Sequence, residues 1–134
     1  MYSDQMLKGI LLSTKTIASV GLSSNMEKVS YSVGAYLQSQ GYHVIPVNPT
    51  ADEILGEKSY PDLESIPEKI EVVQVFRRPE DVPSVVESAI KIGAKVVWMQ
   101  EGIVNEEAAQ MAREAGLQVV MDACMRATHQ RLIV

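Results

Sequence analysis

Val72-Val73-Gln74-Val75-Phe76-Arg77-Arg78-Pro79 begins as a buried strand and ends as the first turn of a helix. The run to Phe76 is β-branched and apolar, the composition of a strand buried on both faces. Pro79 suits a first helical turn, where its missing N–H costs no hydrogen bond. Val82, Val85, Val86, Ala89 and Ile90 then recur at i, i+3, i+4 spacing, the cleanest helical stripe in the sequence. Gly93 stops that helix, and Lys95-Val96-Val97-Trp98-Met99 is a second strand. Strand, helix and strand within about 30 residues make a βαβ unit, whose two strands run parallel.

Working outward, the same alternation repeats in both directions. Upstream, Ser3 caps a helix with Met6, Leu7, Ile10 and Leu11 on one face, and Thr16–Val20 is a strand ending at Gly21. Ser30 or a neighbour opens a helix carrying Val33, Tyr36 and Leu37, closed by Gly41. His43–Val47 is the next strand, although Pro46 lacks a ladder donor. Residues 50–70, broken by Gly56, Pro61 and Pro67, read as an irregular crossover with a short edge strand at Lys58–Tyr60. Downstream, Asn105 caps a helix with Ala108, Met111, Ala112 and Ala115 inward, Gly116 ends it, Gln118–Met121 is the last strand, and 125–132 a final helix. The expected architecture is α/β: a Rossmann-like, doubly wound and mostly parallel sheet with helices on both faces.

The composition fits that architecture. At 134 residues the chain suits one domain, 1–134, with its core at about 16–124. With 46% hydrophobic residues but only Phe76, Trp98 and five tyrosines as aromatics, the core must be Val, Ile, Leu, Ala and Met. A net charge of −5 argues against nucleic acid as a partner, which needs a basic face. No run approaches the ~20 apolar residues of a membrane span, and residues 1–12 do not read as a signal peptide. A single cysteine, Cys124, excludes an internal disulfide and suits the reducing cytoplasm.

In a doubly wound sheet a ligand lies at the carboxyl ends of the strands, where strand order reverses. With Lys58–Tyr60 outermost, that point falls between the first strand and Val72–Phe76. It brings Gly21-Leu22-Ser23-Ser24-Asn25 beside Phe76-Arg77-Arg78, with Gln100-Glu101-Gly102 near the same crevice. A strand-to-helix turn points amides at the crevice and suits an anion. It is also what any tight turn of this composition looks like, and Ser23 and Met26 replace the later glycines of the dinucleotide fingerprint. Arg77, Arg78 and Lys28 are phosphate candidates, since guanidinium forks match phosphate oxygens. The plainer reading pairs the arginines with Glu80 and Asp81 on a solvated turn. Cys124, with Asp122, follows the last strand on the ligand side; it is either a reactive thiol or a small buried residue. His43 and His129 have no second ligand at metal spacing, and Ser23 and Ser24 have no triad partner, so neither a metal nor a catalytic set is expected.

So placed, the sequence resembles the stand-alone bacterial and archaeal CoA-binding domain proteins, and is similar to the N-terminal domain of the succinyl-CoA synthetase alpha subunit. The resemblance spans about Thr16 to His129. It rests on Val20-Gly21-Leu22-Ser23, Gly41-Tyr42, Ile45-Pro46-Val47-Asn48-Pro49, Ile54-Leu55-Gly56, Val75-Phe76-Arg77-Arg78-Pro79-Glu80, Gln100-Glu101-Gly102-Ile103 and Met121-Asp122-Ala123-Cys124.

The resemblance implies coenzyme A as cofactor, with Gly21 to Ser24 at its phosphates and Asn48-Pro49 beside the nucleotide. It also implies Phe76, Arg77 and Arg78 flanking the ligand and Gln100 to Gly102 along it. The 3′-phosphate of CoA favours cations, and the second strand ends in Val47-Asn48-Pro49, without the acid that would read a nicotinamide ribose. The synthetase needs a second domain with a phosphorylated histidine and a beta subunit. His129 does not match that motif, and Met121–Met125 replaces the synthetase's glycine-rich segment. The expectation is therefore a CoA or acyl-CoA binder without catalysis of its own. The alternatives are a subunit of an acyl-CoA synthetase or transferase with a separate catalytic partner, and, less favoured, an NAD(H) module. Homo-oligomer formation is open. If Cys124 lies within reach of the CoA thiol, a mixed disulfide is expected under oxidation.

Overall fold

The computed structural model describes residues 3–134. Its elements in chain order are α1 (Asp4–Ser13), β1 (Thr16–Val20), α2 (Val29–Ser39), β2 (His43–Val47), β3 (Glu53–Ile54), β4 (Glu57–Lys58), β5 (Val72–Val75), α3 (Val82–Lys91), β6 (Val96–Met99), α4 (Glu106–Glu114), β7 (Gln118–Val120) and α5 (Met125–Leu132). Five strands form one sheet in the order β2-β1-β5-β6-β7, and every pairing in it is parallel.

Strand residues alternate between two buried faces, which is why the runs are apolar throughout. Ala18, Val73, Val75, Val97 and Met99 pack under α3 and α4 through Val82, Val86, Ala108 and Ala112. Ile17, Val44, Val72 and Trp98 pack under α1, α2 and α5 through Leu7, Ile10, Val33, Leu37 and Met125. Helices therefore cover both faces, as the alternation predicts. The caps also form as read: Ser3 Oγ accepts from the Met6 amide at 3.1 Å, and Asn105 Oδ1 from the Ala108 amide at 2.8 Å.

The chain leaves β1 for β2 on one side, then returns past β1 to β5 through residues 48–71. Strand order thus reverses between β1 and β5, the predicted switch point.

Three local expectations change. Lys58–Tyr60 is not a full edge strand: Glu57–Lys58 pairs antiparallel with Glu53–Ile54 across Leu55-Gly56, both at positive φ, and only Tyr60 bridges to Val47. Pro46 is tolerated because its nitrogen faces the outer edge of the sheet. Its carbonyl on that side accepts from the Tyr60 amide at 3.1 Å, while the His43 amide, donating to Lys15, and the Val47 carbonyl, accepting from Gly21, mark the side facing β1. Ala115 is exposed as the C-cap of α4, and Ala109 takes the inward place, because the helix turns by 100° per residue and ends one residue early.

Candidate functional site

The switch point is fixed by a close backbone crossing. Gly21 has φ +91°, and a side-chain carbon there would lie 2.6 Å from the Phe76 carbonyl oxygen. Only glycine satisfies both constraints. Its amide donates to the Val47 carbonyl at 3.0 Å, and the Phe76 amide to Val20 at 2.8 Å, so the ends of β2, β1 and β5 are held together.

The turn that follows is wound on its own side chains. The Ser23 amide donates to Ser30 Oγ at 3.0 Å, the Asn25 amide to Ser23 Oγ at 3.0 Å, and the Glu27 amide to Asn25 Oδ1 at 2.9 Å. Ser30 is therefore a loop anchor in the first turn of α2, where the sequence suggested a cap; the N-cap is Lys28, without a side-chain cap bond. Among the described residues nothing accepts from the amides of Leu22, Ser24 and Met26. The Leu22 side chain is fully buried, so only its backbone is on offer.

Asn48 is committed internally. Its Nδ2 donates to the Leu22 carbonyl at 3.0 Å, and its Oδ1 accepts from the amide and hydroxyl of Thr50. It fastens the end of β2 to the turn after β1 and leaves Pro49 to form the wall. Two clefts open along this edge. The first, about 330 Å³, is lined by Gly21, Ser23, Asn48, Pro49, Phe76 and Arg77, among others. The second, about 310 Å³, is lined by Val29, Phe76, Gln100, Glu101, Ile103 and Cys124. Phe76 is their common wall.

Both arginines turn to one carboxylate. Arg77 Nη2 and Arg78 Nε each lie 3.3 Å from Asp81 Oδ2, with Arg78 3.9 Å from Glu80. Desolvation pushes the Asp81 carboxyl up, but the hydrogen bonds and charges of Arg78 and Arg77 together hold it below the usual carboxylate range. Arg77 reaches the first cleft; Arg78, with a 73% exposed side chain, and Lys28, also exposed, line neither. Such exposed pairs are weak and exchange readily for a phosphate.

Gln100 is buried and shared: its Oε1 accepts from Gln74 Nε2 and from the Met125 amide, both at 3.1 Å. Beneath it, Gln74 Oε1 and Ser19 Oγ are buried with no hydrogen-bond partner among the described residues. Gly102 is exposed at positive φ, its amide donating to Asp122 Oδ1 at 2.7 Å. That bond, with Trp98 Nε1 to the Ala123 carbonyl at 2.8 Å, ties β6 and the loop after it to the loop after β7 and sets Cys124 beside Glu101. Val29 and Thr50 line the clefts without having been singled out in the sequence, and Ile103 was quoted only within a motif; Gln74, an amide inside a valine run, was the readable signal of a polar floor. No three His, Cys, Asp or Glu among the described residues are placed to hold a metal, and no described helix is long and apolar enough to cross a membrane.

A parallel α/β sheet with helices on both faces and a glycine-locked turn at its switch point is the Rossmann-like architecture, whose ligand crevice lies at that point. The family model described as CoA binding domain matches residues 15–130, and the chain belongs to that family. It is 46% identical over 123 residues to the uncharacterized protein YneT of Bacillus subtilis, covering 92% of this chain and 91% of that protein. A solved hypothetical protein from Pyrococcus horikoshii superposes with a TM-score of 0.97 at 46% identity, covering 99% of this chain and 94% of that one. An 83-residue segment is 30% identical to the ADP-forming acetate–CoA ligase II of Archaeoglobus fulgidus, covering 60% of this chain but only 12% of the ligase.

Proposed function

We propose that this protein binds coenzyme A, free or acylated, across the two clefts and carries out no group transfer by itself. The observation that carries the reading is the coincidence of the family match with the switch-point cleft of Gly21, Ser23, Pro49, Phe76 and Arg77. The unpaired amides of Ser24 and Met26 and the Arg77 guanidinium supply anion donors at one end, suited to a pyrophosphate. Exposed Lys28, and Arg78 on exchanging its surface pair with Asp81, suit the 3′-phosphate. Asn48-Pro49 follows β2, with no carboxylate to receive a nicotinamide ribose and none to repel that phosphate. Gln100 to Gly102 and Cys124 border the far end. Titration calorimetry and thermal shift with CoA, acetyl-CoA, NAD and NADP test the reading. Stabilisation by the CoA forms alone supports it, and none by either form rejects it.

A second reading rests on the ligase likeness: the chain serves an acyl-CoA synthetase or transferase whose catalytic part is a separate polypeptide. Co-purification with an ATP-binding subunit would favour that reading. A cytoplasmic location accords with the single free cysteine.

A further inference from the structure

We infer that the second cleft is an acyl compartment selective for short, uncharged acyl groups, so that the preferred ligand is a CoA thioester of that class; this rests on the CoA reading above. The two clefts share Phe76 but differ in charge. The first carries Arg77 and the amide-rich turn; the second carries no cation, and its one charged group is the carboxylate of Glu101. CoA is itself polar in one direction, with phosphates at one end and the thioester at the other. Phosphates in the second cleft would face Glu101 unpaired, so charge complementarity directs the thioester end there.

The walls of that cleft are apolar: Val29, Phe76 and Ile103, with Cys124 at one side and the almost fully buried Gln100 as floor. Five large hydrophobic side chains are conspicuously exposed among the described residues. Three of them lie at or next to the lining in sequence: Val29 itself, Met26 in the turn before it, and Val104 after Ile103. Val29 is 65% exposed at the first position of α2, where a polar residue would be the ordinary choice. Apolar side chains held open beside a ligand site gain from an apolar ligand group that covers them. A terminal carboxylate would instead meet the like charge of Glu101 at the cleft wall.

Butyryl-CoA and succinyl-CoA make the matched test, since they differ at the chain end by a methyl against a carboxylate. By calorimetry, butyryl-CoA is expected to bind about tenfold tighter than CoA, and succinyl-CoA at least tenfold weaker than butyryl-CoA. In Val29→Ser the butyryl-CoA to CoA affinity ratio falls toward one. In Glu101→Gln the succinyl-CoA to butyryl-CoA ratio rises several-fold. Val29 and Glu101 are both exposed, so neither change threatens folding. CoA binding with equal affinity for all three ligands, or ratios unmoved by both substitutions, overturns this inference and leaves the CoA reading standing. Binding of no CoA form overturns both.

Discussion

The missing side chain of Gly21 is what lets the Phe76 carbonyl pass: a carbon there would sit 2.6 Å from that oxygen and 3.1 Å from Arg77 Cδ. The chain leaving β1 passes this close to the residue that follows β5 only because Gly21 has nothing to place between them. Gly21→Ala combines this overlap with a left-handed backbone and should cost roughly 2–4 kcal/mol in urea denaturation. Gly116→Ala is the control, with φ +90° but open space around it, and should cost only about 1 kcal/mol. Equal losses would show that conformation alone, and not the crossing, demands glycine.

Arg77 and Arg78 share Asp81 but stand differently to the cleft. Arg77→Ala is expected to weaken CoA about tenfold, as loss of a charge-assisted phosphate contact does. Arg78→Ala should weaken CoA less, and weaken dephospho-CoA hardly at all if that arginine meets the 3′-phosphate. Calorimetry with the two ligands separates the roles; equal weakening of both ligands by Arg78→Ala would assign it to the pyrophosphate instead.

Cys124 borders the compartment assigned to the thiol end of the ligand. With oxidised CoA dimer as co-reactant, the Cys124 thiolate attacks one sulfur, a mixed disulfide forms, and one CoA thiol leaves. Intact-protein mass spectrometry should show one CoA adduct that reductant removes and that Cys124→Ser lacks. An unmodified wild-type protein, under conditions where it binds CoA, would place the thiol out of reach.

Acid should weaken the fold in two separate windows. Burial holds the pKa of His129 below the ordinary 6.5, its ring meeting the Tyr36 hydroxyl at 2.7 Å and Tyr42 edge-on. The unfolded chain takes that proton first, so stability declines as pH falls from 6.5 toward the folded value. Glu71 acts in the same direction at lower pH. Desolvation raises its carboxyl, but the amides of Lys15 and Thr16, at 2.6 and 3.0 Å, and the charges of Lys95 and Lys15 bring it below 4.5. Its contribution is present above 4.5 and is lost as pH falls through the depressed value. Urea midpoints at pH 7, 5.5 and 3.5 check both. His129→Phe should remove the decline from pH 7 to 5.5. Glu71→Gln should cost about 1 kcal/mol at pH 7 and nothing at the acid end.

Much of this molecule was legible in its sequence, and the reasons are local. The Val72–Phe76 and Lys95–Met99 runs could only be doubly buried strands, and the stripe from Val82 to Ile90 could only be a crossover helix. The switch point followed from connectivity. Side-chain commitments were not legible, because they depend on partners distant in sequence. Asn48 turns back to Leu22 across 26 positions, and Ser30 captures the Ser23 amide where a cap was the local reading. The pairing of both arginines with Asp81 was readable as the plain alternative to phosphate, since all three lie within one turn. The edge at Lys58–Tyr60 failed because Leu55-Gly56 closes a two-residue hairpin that no long-range pattern announces.

Pro46 has one more consequence, for how copies of this domain meet. Strand β2 forms one border of the sheet, where a row of free amides would invite a strand from another molecule. Proline removes one donor from that row, and Tyr60 occupies both neighbouring carbonyl and amide positions with its own bridge. The end of the border from Pro46 to Asn48 is closed to sheet extension. Edge-to-edge stacking into fibres is discouraged at this side even when crowding brings copies together.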